Sequence, residues 1–166
     1  MFNIIRFGKY DLLNPVVRLD GFNKTGVSFN LEQQLTDDIG AFARTGWSQG
    51  QYEAFEFTDI NKTASIGISV TGKRWDRPDD TLGLAFVVND ASAAAKRFFA
   101  AGGVGILVGD GTLIHSGPEN IVETYYKLPV LPHTDLSLDY QFVANPAYNQ
   151  ERGPVSIFGV RVHVEF

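Results

Sequence analysis

Residues 156–166 read SIFGVRVHVEF. Phe158, Val160, Val162, Val164 and Phe166 share one parity, and Gly159, Arg161, His163 and Glu165 share the other. That period of two is what a β-strand imposes, because successive side chains leave opposite faces. The same period recurs back along the chain. LSLDYQFVAN (136–145) sets Leu136, Leu138, Tyr140 and Phe142 against Ser137, Asp139 and Gln141, and NIVETYYKLPV (120–130) sets Val122, Thr124, Tyr126 and Leu128 against Glu123, Tyr125 and Lys127. Four more segments alternate in this way: GVSFNLEQQL (26–35), IGAFARTGW (39–47), ASIGISV (64–70) and TLGLAFVVN (81–89). The pattern predicts seven strands over 26–166 and a further strand stub, FNIIRF, within 1–25. ASAAAKRFFAA (91–101), Ala-rich and stopped by Gly102 and Gly103, is the one helical stretch and sits in a long connection. TGKRWDRPDD (71–80) is read as a charged turn, and the Gly-rich 102–111 has no assigned role.

A chain of 166 residues suits one domain, 1–166. Its apolar share of 44% and charged share of 20% are those of a folded chain, and Phe 13 with Gly 17 favours β structure. Cysteine is absent, which excludes thiolate metal sites and Cys nucleophiles. His115, His133 and His163 are isolated, so neither a metal nor a cofactor is expected. The net charge of -5 without a Lys/Arg cluster argues against a nucleic-acid partner. No run is long enough for a transmembrane helix, and MFNIIRFGKYD lacks the apolar core of a signal peptide.

Alternation alone does not decide what each face meets, since most antiparallel sheets belong to soluble proteins. Three features point to lipid. The apolar face is continuous and flanked by Trp47 and Tyr126, as an interfacial girdle would be. The opposite face mixes both charge signs with Ser, Gly and Gln, as a wet interior requires. Short connections (36–38, 131–135) alternate with long ones (48–63, 91–118, 146–154), the asymmetry of an outer-membrane barrel. The expected fold is therefore all-β, an antiparallel transmembrane β-barrel with about seven or eight strands in this chain.

Four stretches also resemble a known family: NLEQQLTDDIGAFARTGWSQGQYEAFEFTDI, GKRWDRPDDTLGLAF, GPENIVETYYKLPV and LDYQFVANPAYNQERGPVSIFGVRVHVEF are similar to the carbohydrate-selective outer-membrane porins of the OprB type. The similarity runs from about Gly26 to Phe166, in the family's order. The resemblance implies a multi-pass barrel of the bacterial outer membrane, of about sixteen strands, that lets sugars such as glucose diffuse through a water-filled lumen. This chain would be its C-terminal half. Implied partners are sugars, outer-membrane lipid and lipopolysaccharide, the barrel assembly machinery and further copies of the chain. The alternative is a small closed barrel or porin fragment that serves as a structural or ligand-binding module without transport.

A sugar lumen needs hydrogen-bonding groups of both kinds and aromatic faces. By parity the lumen candidates are Glu32, Arg44, Lys73, Glu123, Tyr125, Lys127, Asp139, Arg161, His163 and Glu165. The commoner role for any one of them is a wall ion pair. Arg44, Glu123, Asp139 and Arg161 sit mid-strand and are the candidates for sugar contact. Arg74, Trp75, Arg77 and Asp79 are loop or constriction candidates. Lys96 and Arg97, on the helical stretch, face solvent or lipopolysaccharide. Phe158, Val160, Val162, Val164 and Phe166 form the signal that, in barrels of the kind resembled, the assembly machinery reads. Enzymatic chemistry finds no support: the glycines at 103, 105 and 109 lack dinucleotide-binding spacing, and the Glu53/Glu56 and Asp79/Asp80 pairs have no nucleophile beside them.

Overall fold

The computed structural model describes residues 2–7, 24–50, 60–105, 108 and 113–166. Eight strands form a single antiparallel sheet in which each strand pairs with the next in sequence. They are β1 (Phe2–Phe7), β2 (Lys24–Thr36), β3 (Ile39–Ser48), β4 (Lys62–Gly72), β5 (Arg77–Asp90), β6 (Glu119–Leu131), β7 (Thr134–Ala144) and β8 (Val155–Val164), with one helix, α1 (Ala93–Ala100), between β5 and β6. The expected stub is a true strand, β1, paired with β2 so that Ile4 lies opposite Val27. Apart from β1, the strands have 10 to 14 residues, enough to cross a hydrocarbon core at a tilt. Among the described residues, β1 and β8 each have a neighbour on one side only.

The register lines the main apolar parity of the strands up on one side. Ala43, Ile66, Phe86, Val122 and Phe142 pair across β3 to β7, and Leu138 faces Val160 on β8. Among the described residues nothing packs on that face: Phe158 is 80% exposed, Val160 72% and Ile66 62%. A soluble sheet of this size covers its apolar side with a second layer, because each exposed branched side chain forgoes about 1.5–3 kcal/mol of burial. The opposite side carries the polar parity, interrupted near the long-loop end by Val87, Ile121, Val143 and Val155, which pair in one row across β5 to β8.

The packed core lies in the loops instead. Ala91, Ala95, Phe99, Val108 and Leu113 from the β5–β6 connection are buried with Tyr148 from the β7–β8 connection, and Ile60, Phe98 and Ala147 pack against them. Ser92 caps α1, accepting from Ala95 N–H at 3.0 Å, and its hydroxyl donates to Gly50 O at 2.6 Å. Asn61 Oδ1 accepts from Ser92 N–H at 2.8 Å, so the loops before β4 and after β5 are joined at the helix start. Gly102, at φ 94, ends the helix in the left-handed region that glycine enters without steric cost. The role of 102–111 stays open, because 106, 107 and 109–112 lie outside the described residues, as do Glu53 and Glu56.

The opposite end is closed by short turns. The charged stretch 71–80 is less of a turn than its composition suggests: the single 3-10 turn Lys73–Trp75 carries it, and β5 already begins at Arg77. The reason is a clamp. Arg77 donates to the Asp80 carboxylate through Nε and Nη2, Tyr126 O–H donates to Asp80 Oδ2, and Trp75 Nε1 donates to the phenolic Oη of Tyr126 at 3.0 Å. These bonds hold the start of β5 against β6 and bury Asp80.

At the neighbouring turn Lys73 Nζ lies 2.7 Å from Asp38 Oδ1. The hydrogen bond from Lys73 holds the Asp38 carboxyl below the usual carboxylate range, and Asp38 raises Lys73 above the usual lysine range. The contact therefore stabilises the folded turn above the ordinary carboxylate pKa and is lost as pH falls through the lowered Asp38 value; it is also lost in strong base as Lys73 deprotonates. Lys73→Ala is expected to raise the Asp38 pKa toward the ordinary carboxylate range, followed by NMR. An unchanged Asp38 titration would show that the contact does not form in solution.

Candidate functional site

The polar side of the sheet brings most of the expected site residues together in two clusters. On β2 and β3, Arg44 lies opposite Asn30, one row from Glu32. Its Nε donates to Asn30 Oδ1 at 2.9 Å and its Nη2 to Glu32 Oε1 at 2.6 Å. Both charged side chains remain more than half exposed, 54% and 60%. Exposed ion pairs are screened by water and contribute little, so Arg44 can exchange Glu32 for another acceptor at little cost.

The second cluster spans β6 to β8. Glu123, Tyr125, Lys127, Ser137, Asp139, Gln141, Gly159 and Arg161 line a concavity of about 480 Å³. Gln141 Nε2 donates to Glu123 Oε2 at 3.1 Å. A larger concavity, about 740 Å³, runs from Glu32 and Arg44 over Ser65 and Ser69 to the same Glu123 and Tyr125. The two are thus one continuous wall bearing Arg44 and Glu32 at one side and Glu123, Asp139 and Arg161 at the other. Such a wall offers donors and acceptors to a hydroxyl, which is itself both.

Other candidates lie elsewhere. Lys127 is on the same face but is paired with Asp135 at 3.1 Å, near the short-turn end. His163 sits opposite Asp135 at that rim, with Nε2 4.0 Å from Glu165 Oε1. Trp75 and Arg77 belong to the clamp on Asp80, while Arg74 and Asp79 are exposed at the same end. Lys96 is paired with Asp90 at 2.6 Å, at the start of the helical loop. Phe158, Val160, Val162 and Val164 are exposed on the apolar face of β8, and Phe166 follows the strand. Among the described residues no cluster of His, Asp and Glu suits a metal ion, and no helix is long and apolar enough to cross a membrane.

Phe42 is the residue that sequence reasoning missed. It lies on the polar side between Gly40 and Arg44, paired with Gly67, and the Arg44 guanidinium stands 4.8 Å from its ring centroid. The signal was present: an aromatic at the wrong parity of a strand facing a glycine.

A sheet with one bare apolar face, one polar face, and its packed core confined to the loops of one end is the wall of a transmembrane β-barrel. Superposition agrees: the high-pH structure of Pseudomonas putida OprB matches with a TM-score of 0.78 at 16% identity, covering 99% of this chain and 43% of that one. The profile of the family described as "Carbohydrate-selective porin, OprB family" matches residues 13–166, and the chain belongs to that family. It is a β-barrel chain of the bacterial outer membrane. No curated protein matches it. The chain spans less than half the length of the porin it superposes on.

Proposed function

We propose that this chain forms part of the wall of a water-filled channel through which sugars such as glucose diffuse passively. The observation that carries the reading is the continuous polar wall from Arg44 and Glu32 to Glu123, Asp139 and Arg161, lined by groups of both signs. Sugars need both signs, because each hydroxyl donates and accepts, and the contacts must be weak enough for release. Exposed, exchangeable pairs such as Arg44–Glu32 meet that requirement. A small closed barrel would fill its interior with side chains, whereas here β1 and β8 do not pair with each other among the described residues.

The test is conductance of the intact protein in planar bilayers, with and without glucose. Current that glucose reduces is expected, and Arg44→Ala and Arg161→Ala should each weaken that block by about two- to tenfold, the worth of one charge-assisted hydrogen bond in a wet site. A chain that inserts but passes no current overturns the channel reading, and equal block in wild type and both variants removes the assigned contacts.

Lipid and lipopolysaccharide would meet the apolar face and the loops, and further copies of the chain are the proposed oligomeric partner. We read β8 with Phe166 as the segment bound by the assembly machinery. Deleting Phe166 is expected to lower insertion in cells severalfold, on the order of a lost aromatic contact, while refolding in detergent proceeds as before. Equal loss in both assays would contradict that role.

A further inference from the structure

The connection from β7 to β8 enters the left-handed region at three residues that are not glycine: Asn145 at φ 54, Ala147 at φ 55 and Tyr148 at φ 63. Asparagine tolerates that region, but alanine and a bulky aromatic stay in it only where their surroundings hold them. The surroundings here are the stretch from His115 to Glu119. Tyr148 O accepts from Gly117 N–H at 2.8 Å, Gln150 N–H donates to His115 O at 3.0 Å, and the Asn145 side-chain amide donates to Pro118 O at 2.9 Å. Ala147 N–H is taken by a side chain instead, Glu119 Oε2 at 2.9 Å.

That carboxylate is anchored in the wall. Glu119 on β6 pairs with Asn89 on β5, and Asn89 pairs with Thr63 on β4; the three share the parity of Ser65 and Glu123 and so belong to the polar side, at its long-loop end. Asn89 is buried. Its Oδ1 accepts from the Thr63 hydroxyl at 2.8 Å, and its Nδ2 donates to Glu119 Oε1 at 3.3 Å. Glu119 is therefore met by a donor at each oxygen, and a carboxylate, with two acceptor oxygens, satisfies both at once. Tyr148 is buried in the loop core and Ala147 packs against it, so the bond from Glu119 draws that core toward the polar side of the rim. Val143, which pairs with Ile121 on the same side, is buried at 7%, as a covered rim requires.

We propose that Glu119 is the positioning residue of the channel mouth: held by Asn89, it latches the strained strap Asn145–Tyr148 inward, and release of the latch lets the strap and the core behind it swing out and widen the opening. The latch rests on the channel reading and adds to it a mouth with two positions. Backbone strain sets the direction of the movement. Ala147 and Tyr148 relax on leaving the rim, so the inward position lasts only while the bonds that hold them outweigh the strain. The wall stays in place, because the ladder between β5 and β6 is made by backbone groups and not by the Glu119 side chain.

The experiment records single-channel current of the intact protein in planar bilayers and reads the ratio of time at a higher to time at a lower conductance level. Wild type is expected to dwell at the lower level. Glu119→Ala should raise the ratio by roughly tenfold, the scale of one lost hydrogen bond to a charged group. Asn89→Asp should raise it as well, because two carboxylates then face each other. The double variant Asn89→Asp with Glu119→Gln should return the ratio toward wild type: the new amide donates to the new carboxylate and its oxygen still accepts from Ala147 N–H. Heat-modifiable gel mobility confirms that each variant is folded. A conducting protein whose ratio is unchanged in Glu119→Ala overturns the latch while leaving the channel standing. A double variant as open as Asn89→Asp alone overturns the role given to the Asn89–Glu119 bond. Wild-type protein that passes no current overturns the channel reading and the latch together.

Discussion

Ile66→Arg is expected to lower insertion of the sheet into a bilayer strongly, whereas Ser65→Arg, one residue away, is expected to leave insertion intact. The two positions are adjacent in β4 and point to opposite faces, so they share every local propensity and differ only in what they meet. Ile66 pairs with Ala43 and Phe86 in the middle of the apolar face and is 62% exposed there. An Arg at the midplane of a barrel's lipid face costs about 2–4 kcal/mol. At Ser65 the same side chain reaches water beside Arg44. The measurement is folded yield in phospholipid vesicles, read by resistance of the strands to protease. Equal yields would mean that Ile66 does not face hydrocarbon.

The second large effect separates the two ends of the molecule. Phe99→Ala removes the largest apolar side chain of the helix from the loop core, where Phe99 is 4% exposed among Ala95, Leu113 and Tyr148. Truncating a buried Phe costs about 3–5 kcal/mol. The sheet does not depend on that core, because its ladders and its lipid contact lie elsewhere. Protease should therefore cut the β5–β6 and β7–β8 connections of the variant while the strands stay protected and gel mobility stays heat-modifiable. Loss of the strands along with the loops would show that the loop core holds the sheet together.

These two results bear on how much of the molecule can be read from its residues. Strands β2 to β8 and their facing were legible because one simple rule, alternation, is enforced by a sharp boundary between lipid and water on either side of a single layer. The strand stub was legible as a strand, and its pairing with β2 follows from adjacency in sequence. The start of β5 was not, because Arg77, Asp79 and Asp80 look like turn residues, and only the remote Tyr126 makes Asp80 a buried clamp. The loop core was invisible for the same reason: Phe99, Leu113 and Tyr148 are far apart in the chain, and no periodicity joins them. The placement of Arg44, Glu123, Asp139 and Arg161 on the polar face was legible by parity. Phe42 was not, since parity arguments expect polar groups there and do not anticipate a ring seated on the glycine of the next strand.

The central claim is that one face of this sheet meets lipid and the other meets water. The sequence contains no cysteine, so single cysteines introduced along β8 can each carry one spin label. In vesicles the labels at Phe158, Val160 and Val162 should collide with oxygen dissolved in the bilayer and escape a water-soluble nickel chelate, while those at Gly159, Arg161 and His163 should do the reverse. A period of two along the strand is the predicted result. Uniform access of both relaxants, or a uniform preference for either, would contradict the account.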